Sequence, residues 1–93
     1  MPSGKSIYKA GKLLKIQLEY DALAYTIQSI RIMGDFFLYP EEGIEVLQQQ
    51  LIGVILTQDA LTQKINQILT NEHLEPFGFN AEQLAEAILG ATA

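Results

Sequence analysis

The chain has 93 residues, of which 48% are apolar and 18% are charged, and its formal net charge is −5. That apolar content is typical of a folded domain rather than a disordered chain, and the length predicts one domain over residues 1–93. A domain of this size buries only about 60 to 65% of its unfolded surface, so its stability is expected to be modest. The absence of cysteine excludes disulfides, iron–sulfur clusters, thiolate metal sites and thiol nucleophiles.

Charge is distributed unevenly along the chain. Residues 1–31 carry five basic and two acidic side chains, a net +3, whereas residues 32–93 carry one basic and nine acidic side chains, a net −8. A basic first third could contact nucleic acid, a nucleotide or an acidic partner, although lysines along an edge strand also discourage edge-to-edge pairing. The acidity of the whole chain argues against general binding of nucleic acid, which usually requires a positively charged domain.

The sequence also bears on cellular location. The N-terminal stretch MPSGKSIYKAGK lacks the apolar core of a signal peptide, and no apolar run approaches the roughly 20 residues of a membrane span. We therefore expect a cytoplasmic protein that does not bind a membrane.

The first part of the chain has the pattern of antiparallel strands. Residues 5–10 predict a short strand before a Gly-Lys turn. In residues 13–20 apolar and polar side chains alternate, which is the period of a half-buried strand. Residues 25–33 are rich in β-branched side chains, but their apolar phase shifts. The shift indicates either a β-bulge near Gln28–Ser29 or a loop that extends through Ile27.

After the strands, the apolar period becomes that of helices. Ile44, Leu47 and Leu51 mark the core-facing side of a first helix. Residues 51–56 either extend this helix or form a buried connector, and Gly53 makes a break in that region plausible.

Two further helices have clear start signals. Thr57 is a good N-cap for a second helix, which His73 and Pro76 are expected to end. Asn80 and Gln83 have the spacing of a capping box at the start of a third helix. Strands followed by helices predict an α+β fold, a small antiparallel sheet of about three strands followed by about three helices packed on one of its faces.

The residues do not suggest a self-sufficient active site. SGKS at positions 3–6 is similar to the end of a phosphate-binding P-loop, but that motif requires an earlier glycine, a preceding buried strand and a following helix. His73 is expected to lie at the surface or to cap a helix end. Glu41, Glu42 and Glu45 are expected to form a solvated helix start. We therefore assign no catalytic, cofactor-binding or metal-ligating residue.

The segment IRIMGDFFLYPEE, at positions 30–42, concentrates aromatic side chains where a strand should end. Its Gly-Asp pair could bend the chain sharply and cap the turn. Phe36 and Phe37 point to different sides if the chain stays extended. Either both are core residues, or one belongs to a partner-binding patch, because aromatic side chains are enriched in the cores of protein interfaces.

Three runs of residues carry a family resemblance: KAGKLLKIQLEY, IQSIRIMGDFFLYPEE and LQQQLIGV. Together they resemble the C-terminal accessory domain of lipoate–protein ligases. In that family a Gly-Lys turn leads into a strand, a later strand ends in Gly-Asp-Phe-Phe before a helix, and a leucine-rich helix closes on a Leu-x-Gly step, here Leu51-Ile52-Gly53. The resemblance covers essentially the whole chain, and GDFF is its most specific part. It implies a single accessory domain over residues 1–93.

The resemblance further implies a split ligase of the kind known in archaea, in which this chain forms a heterodimer with a large catalytic subunit. Such a pair activates lipoate with ATP to lipoyl-AMP and then transfers lipoyl to a lysine of an acceptor protein. ATP, Mg²⁺ and lipoate are expected in the large subunit, together with the catalytic lysine. This chain would contribute an interface drawn from a basic turn and the aromatic segment: Lys9, Lys12, Asp35, Phe36, Phe37 and Tyr39.

Other functions stay open at this point. A non-enzymatic adaptor or regulatory module would use the same interface without changing ATP turnover, and a standalone catalyst is a third interpretation. The family's fold is also similar to that of iron–sulfur scaffold and sulfur-acceptor proteins, which need the cysteine that this chain lacks. An exposed sheet edge could permit a homodimer when the partner is absent.

Overall fold

A computed structural model describes residues 2–9 and 11–92 and contains the expected antiparallel sheet. Its three strands are β1 (Ser3–Lys9), β2 (Leu13–Asp21) and β3 (Thr26–Gly34), paired in the order β1-β2-β3. The first strand begins two residues earlier than predicted, and the last residue predicted for it, Ala10, lies outside the described residues. SGKS is therefore part of a strand, which excludes the P-loop geometry.

A β-bulge reconciles the two apolar phases of β3. Glu19 lies opposite Ser29, but Tyr20 lies opposite Ile27, so Gln28 is an extra residue on the β3 side. Because of that extra residue, Ile27 turns to the same side of the sheet as the apolar residues beyond the bulge and is buried. The bulge is confirmed, and the alternative of a loop through Ile27 is wrong because β3 begins at Thr26.

Three helices cover one face of this sheet, as predicted. They are α1 (Gly43–Gln50), α2 (Gln58–Asn71) and α3 (Ala81–Gly90). Helix α1 packs on β3, α3 packs on β1 and β2, and α2 packs against the other two helices. Sheet and helices share one apolar core, whose fully buried side chains include Leu14, Ile16, Leu18, Leu47, Leu61, Ile65, Ile68, Leu84 and Ile88. The fold class is therefore α+β.

The predicted helix starts are present with their hydrogen bonds. Thr57 Oγ1 accepts from the backbone N–H of Ala60 at 3.3 Å. Asn80 Oδ1 accepts from the N–H of Gln83 at 2.8 Å, while Gln83 Oε1 accepts from the N–H of Asn80 at 3.0 Å. Both arms of the capping box are therefore formed, and two N–H groups that the first turn leaves without helical partners are satisfied.

His73 ends α2 through its backbone conformation. It follows the C-cap residue Glu72 and has a φ of 54°, in the left-handed region that stops a helix. The N–H of His73 donates to Thr70 O at 3.3 Å, and the N–H of Leu74 donates to Leu69 O at 2.9 Å. These two bonds form a Schellman motif, with the histidine side chain exposed. Pro76 lies beyond this stop, within a short strand.

The segment between α1 and α2 is the buried connector rather than a helix extension. Leu51 and Leu56 are buried in it. The N–H of Ile27 donates to Val54 O at 3.1 Å, and the N–H of Gly53 donates to Ile27 O at 2.7 Å. The connector thus covers the outer edge of β3 near the bulge.

A two-stranded ribbon is present that the sequence did not predict. Strand β4 (Phe37–Tyr39) pairs antiparallel with β5 (Glu75–Phe77). Strand β4 therefore lies between the Gly-Asp bend and α1, an element that the family pattern of a strand ending in Gly-Asp-Phe-Phe before a helix did not include. Three-residue strands are too short to show a period, and the proline inside β5 argued against a strand there.

Strand β1 is joined to α3 by close backbone approach and by side-chain hydrogen bonds. A Cβ atom at Gly4 would lie 1.7 Å from the carbonyl oxygen of Ala91, so only glycine fits there. Ser6 Oγ donates to Ala87 O at 2.6 Å. The Tyr8 hydroxyl donates to the Glu86 carboxylate, and this hydrogen bond raises the pKa of Tyr8 above its ordinary value.

We expect Gly4→Ala to lower the free energy of unfolding by about 2–3 kcal/mol, because the new methyl group can be accommodated only if β1 moves away from α3. The matched control is Gly90→Ala at the same contact, where a Cβ would meet Ser6 Cβ at an ordinary 3.4 Å. This second change should be neutral or stabilise by up to about 1 kcal/mol, since alanine favours helix. Urea unfolding of both variants measures the difference, and equal stabilities would contradict the close approach.

Candidate functional site

The β4–β5 ribbon displays three aromatic rings to solvent. Phe37 lies opposite Phe77 in the register, with ring centroids 6.1 Å apart. Because side chains alternate along a strand, Leu38 enters the core while Phe37 and Tyr39 point outward. Their exposed fractions are 49% for Phe37, 61% for Tyr39 and 53% for Phe77. We call these three residues the aromatic patch.

Phe36 anchors the ribbon. Its ring meets the ring of Phe79 edge to face, with centroids 5.1 Å apart and an interplanar angle of 81°. Phe36 is half-buried and Phe79 is buried. Of the two adjacent phenylalanines, Phe36 therefore packs inward and Phe37 lies at the surface, so the possibility that both are core residues does not hold.

Lys12 borders the same region through Gly78. The N–H of Lys12 donates to Gly78 O at 2.9 Å. A Cβ atom at Gly78 would lie 2.4 Å from Lys12 Cγ and 3.5 Å from Phe36 Cβ. The aliphatic stem of this exposed lysine thus lies over the glycine between Phe77 and Phe79.

Asp35 and Lys9 lie near the same turn but make fewer contacts. The sequence suggested that the Asp35 side chain could cap its turn. In the structure the hydrogen bond of Asp35 is instead made by its backbone N–H, which donates to Leu13 O at 3.1 Å. Lys9 is exposed at the end of β1, opposite Leu13. Gly34, with a φ of 141°, passes so close to Leu13 O that a Cβ there would lie 2.0 Å away. This glycine permits the bend that brings Asp35 and Phe36 to the turn.

Phe77 is the residue of the patch that sequence reasoning missed. It is brought to Phe37 only by the pairing of β4 with β5, which are far apart in the chain. The run EPFGFN contains a signal that could have drawn attention to it, because two phenylalanines flank a glycine there.

The chemistry of this surface is that of binding. Glu41, Glu42 and Glu45 are exposed at the start of α1, as expected.

Within residues 2–9 and 11–92, no group of three or more His, Cys, Asp or Glu side chains could hold a metal ion. None of the helices in the described part of the chain has the length and apolar character needed to cross a bilayer. Rigid aromatic rings beside a lysine suit contact with another protein.

The two adjacent phenylalanines should differ in their effect on stability. We expect Phe36→Ala to lower the free energy of unfolding by about 2 kcal/mol, because it removes a half-buried ring and its edge-to-face contact. Phe37→Ala, at an exposed position, should cost no more than about 1 kcal/mol. Urea unfolding compares them, and a larger loss for Phe37→Ala would contradict the assignment of anchor and surface.

Comparison with known proteins supports the resemblance carried by the GDFF segment. Residues 9–88 match the family described as bacterial lipoate protein ligase C-terminus. A similar chain occurs in a structural study of an archaeal lipoylation system, a bipartite lipoate protein ligase and its E2 lipoyl domain from Thermoplasma acidophilum. The two chains are 26% identical with a TM-score of 0.79, over 94% of each. No curated protein is significantly similar. Because the family match spans most of its length, the chain belongs to the lipoate protein ligase C-terminal domain family.

Proposed function

We propose that this chain is the accessory subunit of a two-chain, ATP-dependent lipoate–protein ligase. Together with a large catalytic subunit it would activate lipoate to lipoyl-AMP, before lipoyl is transferred to a lysine of an acceptor protein. The observation that carries the proposal is the aromatic patch, which is exposed on a chain that belongs to the lipoate protein ligase C-terminal domain family. The similarity to a chain of the Thermoplasma bipartite ligase system, over 94% of both lengths, supports the two-chain arrangement.

The aromatic patch is the proposed contact with the catalytic subunit. Aromatic side chains supply much of the binding energy of protein interfaces when they become fully desolvated. Here the rings of Phe37 and Phe77 are each about half exposed and already in mutual contact. Leu38 in the core and Phe36 against Phe79 hold the ribbon in place. Little conformational freedom would therefore be lost on binding, which favours affinity.

In the proposed pair, the chemical steps take place in the catalytic subunit. ATP, Mg²⁺ and lipoate would be held by the catalytic subunit, and no residue of this chain would touch a reacting atom. Its contribution would be to order mobile loops over the bound nucleotide and so exclude water. Water exclusion protects lipoyl-AMP, because a mixed anhydride hydrolyses readily. Such a pair would work in the cytoplasm and bind no membrane.

The aromatic patch gives a direct test of this function. We expect the double variant Phe37→Ser with Phe77→Ser to lose at least about 90% of its stimulation of lipoate-dependent AMP formation by the catalytic subunit, at subunit concentrations near the Kd of the pair. High concentrations of the variant should restore the rate, since the defect is in affinity.

The control is Ile52→Ser with Ile55→Ser. These side chains are exposed to a similar degree, 54% and 52%, and Ile55 bridges Thr26 at the other end of β3. The control should stimulate like the wild-type chain. If the aromatic variant stimulates normally while the isoleucine variant fails, the contact lies at the opposite end of the sheet. If neither the wild-type chain nor any variant changes the rate, a non-enzymatic adaptor role replaces the ligase function.

The two lysines near the turn have a separate expected effect. We propose that Lys9 and Lys12 face the ATP phosphates or an acidic rim of the catalytic subunit. Replacing both with glutamine should then raise the KM for ATP in the activation step several-fold, with urea stability unchanged because both side chains are exposed. An unchanged KM and rate would remove these lysines from the nucleotide site and leave the aromatic contact standing.

A further inference from the structure

The face of the three-stranded sheet opposite the helices is open, and its residues lie in cross-strand rows. We call it the open sheet face. Antiparallel register places side chains of β1, β2 and β3 side by side on it. The rows are Ser3–Glu19–Ser29, then Lys5–Gln17–Arg31, then Ile7–Lys15–Met33, with Lys9 beyond them.

This face is positively charged on an acidic chain. Four of the six basic residues of the sequence lie on it, all exposed: Lys5, Lys9, Lys15 and Arg31. Its one carboxylate, Glu19, accepts a hydrogen bond from Ser29 Oγ at 2.8 Å. The face therefore has a net charge of +3, and the rest of the chain has −8.

The position of these cations argues against a purely protective role. Lysines on an edge strand discourage pairing with other chains, and this explains Lys5 and Lys9 on β1. Lys15, however, lies on β2, which is paired on both sides. Arg31 lies on β3, where the nearby N–H of Ile32 already donates to Gln48 Oε1 at 2.8 Å. Edge protection therefore leaves two of the four charges unexplained.

The open sheet face also has the shape and mixed polarity of a docking surface. A groove of about 770 Å³ runs across it, lined among others by Lys5, Gln17, Arg31 and Gln48. Ile7 stands beside the groove among the lysines with 72% of its surface exposed. An aliphatic side chain surrounded by cations can be buried by a partner that also supplies carboxylates.

From these observations we propose that the open sheet face docks an acidic surface of the catalytic subunit, as a second contact separate from the aromatic patch. The inference rests on the proposed function, because it takes the catalytic subunit as the partner. Charge complementarity identifies the partner surface, since a net charge of +3 on this face attracts carboxylates and orients the approaching subunit. Nucleic acid is disfavoured, because the −8 carried by the remaining surface repels a polyanion.

The test is the rate of association between this chain and the purified catalytic subunit at low and high salt. Long-range steering acts mainly on kon and disappears when the screening length falls to about 3 Å in about 1 M salt. We expect the triple variant Lys5→Gln, Lys15→Gln, Arg31→Gln to associate roughly tenfold more slowly than wild type in about 0.01 M salt. In about 1 M salt the two rates should converge.

Single substitutions provide the matched control. Lys15→Gln and Lys64→Gln remove the same charge, one from the open sheet face and one from α2 on the helical side. Lys15→Gln should slow association, whereas Lys64→Gln should leave it unchanged or raise it. Urea unfolding of each variant should match wild type, which separates loss of docking from loss of folding.

The outcomes distinguish this inference from the proposed function. If the wild-type chain forms no complex with the catalytic subunit at any salt concentration, both fail together. If a complex forms and activates lipoate, but the triple variant associates like wild type, only the open sheet face is excluded. Binding of a random-sequence DNA duplex gives the opposing outcome. If the wild-type chain binds the duplex, the triple variant does not, and both associate equally fast with the catalytic subunit, then the face binds nucleic acid and the inference is overturned.

Discussion

The pairing of β4 with β5 is the interaction on which the candidate site depends. It places Phe77 beside Phe37 and leaves both rings at the surface. The same ribbon sends Leu38 into the core, while Phe36 reaches Phe79 just before α3 begins. Two three-residue strands would not hold together by themselves, so these apolar anchors are what make a rigid aromatic surface possible on so small a domain.

Local signals in the sequence were sufficient for most of the fold but not for the ribbon. Alternation predicted β2, and the capping residues predicted the starts of α2 and α3, because each signal lies within a few neighbouring residues. The phase change near Gln28 indicated either a bulge or a loop, and the structure contains the bulge. The ribbon joins segments far apart in the chain, and its strands are too short for a period. Which of the two phenylalanines faces solvent depends on that non-local register. The sequence alone therefore does not decide whether both are core residues or one lies at the surface.

The two proposed contacts depend on different interactions, burial of apolar surface and long-range electrostatic attraction. The aromatic patch offers apolar area whose burial stabilises a complex once it has formed, and therefore governs dissociation. The open sheet face offers charge that acts over distance and therefore governs encounter. The two surfaces lie on different elements: the aromatic patch is on the β4–β5 ribbon, and the cations are on the three-stranded sheet. In the proposed pair, the chain would in this way control when and how the active site of the catalytic subunit is completed.

The most direct test of the account is a titration of the catalytic subunit with the wild-type chain, following lipoate-dependent AMP formation. If this chain is the accessory subunit, the rate is very low without it, rises with each addition, and reaches a plateau at one chain per catalytic subunit. A catalytic subunit that forms AMP at its full rate alone, with no change on addition of the chain, would contradict it.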